Sequence, residues 1–502
     1  MSYLGLLRLL GPEACVVLAM LAVLLVDLTT LRGQPAPVRR WIAAGIATVG
    51  CLAAGIFIVN VPVEGRLPGG MFAVDALSQA VKLVLLVMTG LTVLLSVESD
   101  FTGHIGEHFA LLLLATTGMM LMVGAEDLLM IFLALELTSL SLYALVALRK
   151  GSEASAEAAL KYFLFGAMAA AFALFGFSLL YGMSGSTALA EIAASLRGKG
   201  FDPLFGLALL MVLVGFGFKV AAVPFHLWAP DAYQGAPTPA AALIASGSKV
   251  ASFVLLAKVL VLAFPEQAGD ASLGGFRAGW MPVLAGLALA SMVLGNLAAL
   301  AQRSLKRLLA YSAIAHAGYM LLGVLAVAEA GSRTAAFTSL VFYAATYGLT
   351  AVGAFAVAGV AERTMGGDAI GGFGGFARRA PWLAGCLAVL MLSLAGMPPF
   401  AGFIGKFYLF AAALEVGGAP WMLLWLVAAG LALSPVGLYY YLKVLKQAYV
   451  VAPSGASEPA PGKPAMTEAA VVGLASAGVL LLGLFPELLL ALLREALRAS
   501  GL

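Results

Sequence analysis

The sequence predicts an all-α polytopic membrane protein that crosses the bilayer about fourteen times. Of its 502 residues, 62% are hydrophobic and only 11% are charged, a composition that excludes an ordinary soluble protein. The apolar residues form continuous runs, whereas the strands of a membrane barrel alternate apolar and polar residues over segments of about ten. Continuous runs favour helices, and residues 1–502 are therefore predicted to form a single membrane domain.

Fourteen apolar runs, bounded by proline, glycine or charged residues, define the predicted spans. Each run is close to the roughly 20 apolar residues that an α-helix needs to cross a bilayer. An N-terminal group within residues 1–100 has runs at 15–31, 41–61 and 76–97, and the C-terminal span is 468–490. The ten spans between them lie at 108–124, 127–148, 158–181, 203–224, 239–263, 282–300, 308–328, 336–361, 382–410 and 421–448.

Two of the ten central spans are broken near their middles. One break contains Pro224, and the other contains Gly396, Pro398 and Pro399. Proline removes a backbone donor, so breaks inside a membrane occur where protein or cavity water satisfies the freed backbone groups. Broken helices in corresponding positions of two halves are typical of transporter sites near the midplane.

The two breaks divide the central spans into two predicted repeats of five helices. Spans four to eight, residues 108–263, form the first repeat, and spans nine to thirteen, residues 282–448, form the second. Because five is odd, the second repeat must insert upside down relative to the first. We therefore predict an inverted repeat with one broken helix in each half.

The distribution of lysine and arginine predicts the orientation of the chain. Loops that follow odd-numbered spans hold 14 of these residues, Lys463 among them, and the other side of the bilayer holds 8. Cytoplasmic loops carry the excess of positive charge in membrane proteins. Both termini are therefore predicted to face away from the cytoplasm.

Six lysines lie inside predicted spans, where a charged side chain costs about 2.5 to 3.5 kcal/mol at the bilayer centre. They are Lys82, Lys161, Lys219, Lys249, Lys258 and Lys406. Lys219 and Lys406 are close to the two breaks, and Lys249 lies in mid-span among small residues that leave room for water. We predict that these three are functional. Lys82 and Lys258 are expected to extend to the membrane interface, although Lys258 could also face the interior.

One carboxylate and two histidines complete the predicted site. Glu136 carries the only charge in its span after the first residue, so it needs a buried cationic partner, for which Lys219 is the candidate. His226 and His316 could relay protons because imidazole titrates near neutral pH, or they could be core histidines with satisfied hydrogen bonds. Glu157 and Lys161 have the i, i+4 spacing of an ion pair on one helix face, which surface helices also show.

These residue types indicate ion translocation rather than bond chemistry. Burial disfavours the charged form of a lysine and a nearby carboxylate favours it, so a row of buried lysines can pass a proton along. The sequence contains no phosphate-binding loop, no nucleophile with a base and no cluster of metal ligands. We therefore expect no cofactor or metal on this chain, and the lack of a basic surface with aromatic residues argues against nucleic-acid binding.

Five segments resemble the antiporter-like membrane subunits of respiratory complex I, a similarity that covers roughly residues 75–450. The segments read FLALELTSLSLYAL, GFGFKVAAVPFHLWAPDAYQGAPTP, ASGSKVASF, LLAYSAIAHAGYML and LAGMPPFAGFIGKF. Within the family the chain looks most like the N type. An M-type subunit would carry glutamate at the position of Lys406, and an L-type subunit would continue into a long lateral helix after the last span.

The resemblance implies a subunit that pumps protons as quinone is reduced elsewhere in the complex. It implies a location in the bacterial inner membrane, where the charge distribution predicts both termini in the periplasm, and membrane-arm partners of the antiporter-like M and L types and the small K and J types. NADH, FMN, iron-sulfur clusters and quinone are expected in other subunits.

The resemblance also assigns residues. It places the buried glutamate of the fifth helix at Glu136, the lysine of the broken seventh helix at Lys219, and the lysines of the eighth and twelfth helices at Lys249 and Lys406. The Glu157–Lys161 pair and His226 match further positions that the family uses for proton transfer. Two alternatives stay open: a subunit of a multi-subunit sodium/proton antiporter, which has no redox partner, and a structural subunit whose lysines are inactive.

Overall fold

The chain was analysed as a computed structural model that describes residues 3–61, 64–275, 277–329, 333–415, 422–452 and 464–500. Lys463, which the orientation count includes, lies outside these residues. The N-terminal third contains a short antiparallel hairpin of β1 (Gly65–Arg66) and β2 (Ala73–Val74). Its helices are α1 Tyr3–Leu9, α2 Gly11–Leu28, α3 Ala36–Asn60, α4 Ala76–Ser96, α5 Ile105–Gly124, α6 Leu128–Ala147 and α7 Glu153–Ser184.

The described residues that follow are helical apart from loops and breaks. The middle third contains α8 Leu189–Leu196, α9 Pro203–Val220, α10 Ala229–Gly235, α11 Thr238–Ala245, α12 Gly247–Ala263, α13 Trp280–Leu300 and α14 Leu305–Glu329. The last third contains α15 Arg333–Met365, α16 Phe376–Arg379, α17 Pro381–Ala395, α18 Ala401–Leu414, α19 Leu424–Tyr449, α20 Met466–Leu484 and α21 Glu487–Ser500.

The helices confirm the predicted fold class. In the described residues 13 helices are long and apolar enough to cross a membrane, with α11 and α12 counted together as Thr238–Ala263. Two shorter apolar helices, α17 and α18, lie on the predicted broken span 382–410. Counted as one span, they bring the number in the described residues to fourteen. Each of these spanning helices overlaps one of the fourteen apolar runs, because a backbone in lipid satisfies its polar groups only within a helix or a closed barrel.

Polar side chains at the helix ends explain where several spans begin. Asp75 and Ser78 form a capping box at the start of α4. The Asp127 carboxylate accepts from the backbone amides of Leu129 and Met130 at the start of α6. These amides have no partner within the helix, and a side-chain cap supplies one.

The centre of the bundle is formed by α11–α12, α14 and α15. Within their most apolar windows, 100%, 94% and 94% of the residues are buried, compared with 33% for α7. Peripheral helices such as α7 expose large apolar residues, among them Leu164 and Phe175, as expected for a surface in contact with lipid. Polar residues on the central helices must therefore find partners inside the protein.

Both predicted helix breaks are present. The first separates α9 from α10 and begins at Ala221, which is left-handed with φ 57, and the second separates α17 from α18 and begins at Gly396, with φ 81. Each contains one cis X-Pro peptide, at Pro224 and at Pro399 respectively. The Val223 amide in the first break donates to the Ser291 hydroxyl at 2.9 Å, so protein rather than lipid satisfies this backbone group.

One predicted boundary is wrong. The last span was expected at 468–490, but α20 ends at Leu484 and a separate helix, α21, begins at Glu487 after Pro486. Proline cannot continue the hydrogen-bond ladder of the preceding turn, which explains the stop. The amphipathic α21 then packs on α4 and α15.

The bundle has two ends that differ in charge. We call the end with Arg149, Lys306 and Arg363 the basic face, and the end with Arg66 and Glu126 the opposite face. Ion pairs from Arg149 and Lys306 to the same carboxylate, Glu362, hold the loops of the basic face together. The inverted relation of the two five-helix groups, their boundaries and the orientation of the faces in the membrane stay predictions.

Candidate functional site

Glu136 and Lys219 line one narrow cavity between α6, α7 and α9. Lys219 donates from Nζ to the Ser139 hydroxyl at 2.9 Å, and Ser139 is one turn after Glu136 on α6. The cavity has a volume of about 20 Å³, which is enough for one water molecule. No direct ion pair joins Glu136 to Lys219 among the described residues. The structure therefore brings the predicted partners to the same cavity, but the hydrogen-bond partner of the Lys219 ammonium is Ser139 rather than Glu136.

Lys219 lies in the last turn of α9, directly before the first break. Its side chain is buried. The carbonyl groups at a helix C-terminus lack intrahelical donors and carry partial negative charge, which stabilises a nearby cation. The break thus compensates part of the cost of placing a lysine inside the membrane.

Lys249 connects the first break to the middle of α14. From α12 its Nζ donates to the Ala313 carbonyl at 2.7 Å and lies 3.3 Å from the Val220 carbonyl. The Val220 carbonyl is available because α9 ends at that residue. Lys249 is buried, so both carbonyls contact it in a medium where their dipoles are poorly screened.

His316 lies one turn after Ala313 on α14 and is surrounded by tyrosines. Its Nδ1 is 2.7 Å from the Tyr343 hydroxyl and its Nε2 is 3.3 Å from the Tyr441 hydroxyl. The Tyr441 hydroxyl is also hydrogen-bonded to the Ser312 hydroxyl. Both ring nitrogens therefore have hydroxyl partners that can donate or accept, as either tautomer of the ring requires.

Lys406 occupies the second break. Its Nζ lies 3.2 Å from the Ala395 carbonyl, 3.3 Å from the Ser434 hydroxyl and 4.9 Å from the centre of the Tyr319 ring. The Ala395 carbonyl is available because α17 ends there. Both predicted lysines at the breaks are therefore near the C-terminal end of an interrupted helix.

Gly396 allows Lys406 to approach the second break. Its φ of 81 lies in the left-handed region, and an added Cβ would be 3.1 Å from the Lys406 Nζ. A side chain at this position would strain the backbone and crowd the ammonium group. The sequence signal of a glycine before two prolines thus has a steric cause.

The Glu157–Lys161 pair is present but lies at the periphery. Lys161 Nζ is 2.6 Å from Glu157 and 2.7 Å from Asp231, a residue that the sequence analysis did not select. The side chains of Glu157 and Lys161 are 66% and 39% exposed, so this pair is not part of the buried row. The available signal for Asp231 was its position in α10, seven residues after Pro224.

His226 lies in the first break without joining the lysines. It is buried, and its Nδ1 has no hydrogen-bond partner among the described residues. Within the same part of the chain, its ring makes no hydrogen bond to Lys219, Lys249 or Lys161. The structure therefore places this predicted relay residue close to the break but outside the contacts described above.

The expectation that Lys82 extends to the interface is wrong, and Lys258 takes the other position that the sequence left open, facing the interior. Lys82 is completely buried, with its Nζ 2.8 Å from the Glu13 carboxylate. Lys258 is 1% exposed, and its Nζ lies 3.0 Å from the Val123 carbonyl and 3.8 Å from Glu126. Both lysines find their acceptors on neighbouring helices, which the sequence of a single span cannot reveal.

Comparisons with known proteins agree on one family. The family model described as "NADH:quinone oxidoreductase/Mrp antiporter, TM" matches residues 125–433. The chain is 48% identical to NADH-quinone oxidoreductase subunit N 2 of Acidobacterium capsulatum, covering 98% of this chain and 99% of the relative. It is 38% identical to NADH-quinone oxidoreductase subunit N of Nitrosomonas europaea, covering 97% of each chain.

Two solved structures are similar in fold. A chain of respiratory complex I from Thermus thermophilus with bound aureothin is 37% identical with a TM-score of 0.77, covering 96% of this chain and 98% of that one. A chain of the Mrp complex from Dietzia sp. is 22% identical with a TM-score of 0.82, covering 98% of each chain. The second match shows a shared fold alone.

Proposed function

Because the chain belongs to the NADH:quinone oxidoreductase/Mrp antiporter family of membrane subunits, and within it to the subunit N proteins, we propose that protons move through its buried row of lysines. In this proposal it is a proton-translocating membrane-arm subunit of NADH:quinone oxidoreductase, and the row is Glu136, Lys219, Lys249, His316 and Lys406. Glu157 and Lys161 at the periphery, and His226 in the first break, are proposed to deliver protons to this row.

One observation carries the proposal: Lys249 contacts both halves of the bundle. Its Nζ reaches Val220, the neighbour of Lys219, and Ala313, one turn before His316. Tyr319, one further turn along α14, lies under the Lys406 ammonium. In this proposal a proton that leaves the cavity of Glu136 passes from Lys219 to Lys249, and from there past His316 to Lys406 at the second break.

The proposed mechanism uses the mutual influence of buried charges. A proton on Lys219 is favoured while Glu136 is ionised, and loss of that partner favours transfer toward Lys249. The carbonyls of Val220 and Ala313 accept hydrogen bonds from the Lys249 ammonium and so stabilise its charged form. A charge on Lys249 in turn disfavours a second charge at Lys406, which promotes proton release there.

The redox chemistry is proposed to lie in other subunits. This chain supplies acids, bases and hydrogen bonds, whereas NADH, FMN, iron-sulfur clusters and quinone would bind elsewhere in the complex. Its partners in the bilayer would be the antiporter-like M-type and L-type subunits and the small K-type and J-type subunits. The proposed location is the bacterial inner membrane, with both termini in the periplasm.

A sodium/proton antiporter subunit is the second candidate. The matching family model is described as covering Mrp antiporter subunits as well as NADH:quinone oxidoreductase subunits, so family membership by itself allows this candidate. The names of the curated relatives, at 48% and 38% identity over nearly the whole chain, favour the redox-driven pump. Purification of the tagged chain in mild detergent distinguishes the two, because only the pump retains NADH oxidation and flavin-containing partners.

Replacement of Lys219 by alanine tests the proposed path. In inverted membrane vesicles we expect NADH-driven proton uptake per NADH oxidised to fall about tenfold or more, since a positioned proton carrier is lost. The matched control is Lys443→Ala, because Lys443 is a helix lysine that likewise donates one hydrogen bond, to the Leu300 carbonyl, but is exposed. Unchanged uptake in Lys219→Ala membranes that contain normal amounts of the complex would exclude the path.

A further inference from the structure

Two adjacent cationic residues at the start of α14 form ion pairs with carboxylates on two different helices. Lys306 donates to Glu362 of α15, and Arg307 donates from Nη1 to Asp231 of α10 at 2.6 Å. Arg307 also donates to the side chain of Gln234 at 3.1 Å. The first turn of α14, at the basic face of the bundle, is therefore bonded both to α15 and to α10, the short helix that follows the first break.

Asp231 divides its two oxygens between cations from two elements. Oδ1 accepts from Arg307 at 2.6 Å and Oδ2 accepts from Lys161 of α7 at 2.7 Å. The Asp231 side chain is 25% exposed, compared with 66% for Glu157, the other partner of Lys161. Charges at Asp231 are therefore less screened by solvent than charges at Glu157.

Lys161 is shared between two carboxylates. Its Nζ lies 2.6 Å from Glu157 and 2.7 Å from Asp231, so a small displacement of one side chain exchanges the preferred partner. When Lys161 turns to Glu157, Asp231 keeps Arg307 as its cationic partner, and the net attraction of Arg307 to this site increases because Lys161 repels it less from a greater distance. The choice of Lys161 between Glu157 and Asp231 thus changes the attraction between α10 and α14.

The helix to which Arg307 belongs, α14, also carries residues of the proposed proton path. Ala313, which accepts from Lys249, and His316 follow Arg307 on α14. Nine residues of α-helix, from 307 to 316, correspond to about 14 Å along the axis. A shift of α14 at the basic face would therefore be transmitted by a rigid element to the contact between Lys249 and Ala313.

We propose that Asp231 is a positioning residue that couples the peripheral pair Glu157–Lys161 to α14, and through α14 to Lys249. The inference rests on the proposed function, because it concerns how the state of the outer pair reaches the buried row. Asp231 does not itself carry the proton. A purely structural ion pair would instead stabilise the chain without changing the number of protons moved per NADH.

The test is a set of variants in the assembled complex, with protons taken up per NADH oxidised measured in inverted vesicles. Asp231→Asn and Glu157→Gln each leave Lys161 one carboxylate, and we expect each to lower the ratio by about threefold, the effect of one exposed ion pair. The double variant is expected to lower the ratio no further than Asp231→Asn alone, and so by less than the product of the single effects, because the state of Glu157 reaches α14 only through Asp231. Asp231→Glu should restore most of the ratio.

Two controls separate coupling from stability. Asp100→Asn breaks a comparable contact of 2.6 Å, with Arg40, outside this chain of charges, and should leave the ratio unchanged. The amount of assembled complex, determined by quantitative mass spectrometry of the purified complex, corrects for losses in folding. Arg307→Gln should lower the ratio and remove the additional effect of Asp231→Asn, because the proposed coupling passes through Arg307.

Several results would overturn the inference. A normal proton ratio in Asp231→Asn, or a double variant equal to the product of its singles, would show that Asp231 has no coupling role. Lys219→Ala in the same vesicles separates this failure from that of the function itself. If Lys219→Ala stops pumping while Asp231→Asn does not change it, the coupling is wrong and the path stands.

Discussion

At the scale of single residues, the cost of burying charge determines which lysines matter. Lys219, Lys249 and Lys406 each have a hydroxyl or free carbonyl within hydrogen-bond distance of Nζ. Lys82 instead has a carboxylate, Glu13, and both are buried. Lys249 and Lys406 can lose a proton without leaving an adjacent anion unpaired, whereas Lys82 cannot. We therefore expect Lys82 to contribute to stability.

The buried ion pair between Lys82 and Glu13 predicts that removal of one charge destabilises the protein more than removal of both. Lys82→Met leaves Glu13 as an uncompensated buried charge, and we expect it to destabilise the fold by about 3 to 5 kcal/mol. Lys82→Met combined with Glu13→Gln should recover much of that loss, since both charges are then removed. Thermal unfolding of the purified complex measures the difference. A double variant as unstable as Lys82→Met alone would show that the pair is not responsible.

Gly396 provides a second residue-scale prediction. Alanine at this position requires a left-handed backbone, which costs about 1 to 2 kcal/mol, and brings a Cβ to 3.1 Å from the Lys406 Nζ. We expect Gly396→Ala to lower both thermal stability and proton uptake per NADH. Gly385→Ala, in the middle of α17 with no atom within 4 Å of the added Cβ, is the matched control and should change neither. Normal uptake in Gly396→Ala would argue that Lys406 does not depend on this close approach.

At the scale of helices, the breaks expose carbonyl and amide groups that the site then uses. The ends of α9 and α17 supply Val220 and Ala395, which face Lys249 and Lys406. Other freed groups are satisfied by side chains from neighbouring helices, as Ser291 of α13 does for the Val223 amide. A break is therefore stable only where several helices surround it.

The Ser291 contact tests this dependence. Ser291→Ala leaves the Val223 amide of the first break without its acceptor, and we expect a loss of about 1 to 3 kcal/mol in stability. Ser99→Ala is the control, because the Ser99 hydroxyl donates only to the Leu95 carbonyl of its own helix region. Hydrogen exchange at Val223, followed by mass spectrometry, should accelerate in Ser291→Ala alone. Equal exchange in both variants would show that the break does not depend on α13.

At the scale of the whole molecule, the two faces of the bundle differ in the charges that they present. The basic face contains the ion pairs from Arg149 and Lys306 to Glu362 and from Arg363 to Glu468. The opposite face has Arg66 paired with Glu126. The excess of lysine and arginine predicts that the basic face is cytoplasmic. Net proton transport in one direction requires all copies of the chain to have the same orientation in the membrane.

Cysteine labelling tests the orientation. In a variant that lacks Cys15, Cys51 and Cys386, we expect Arg498→Cys of α21 to react with an impermeant maleimide in right-side-out vesicles. Arg303→Cys, in the loop before α14, should react only after the membrane is permeabilised. Both positions are exposed, so accessibility alone does not separate them. The reverse pattern would place both termini in the cytoplasm.

The sequence by itself determined the class, the number of spans and the positions of the breaks. These features are local: hydrophobic length determines whether a segment crosses the bilayer, and proline or glycine determines where a helix stops. The lysines of the proposed row were also identifiable, because a charge in a long apolar run is conspicuous. The boundary at Leu484 was missed because the apolar composition continues past Pro486.

Only the tertiary structure decided which groups contact one another. Lys82 meets Glu13, 69 residues earlier in the chain, and Asp231 joins Lys161 and Arg307 across intervals of 70 and 76 residues. The Lys219 ammonium likewise donates to Ser139, although the sequence suggested a direct pair with Glu136. Such partners depend on how helices pack and rotate about their axes, and the composition of a single span carries no information about the side chains of its neighbours.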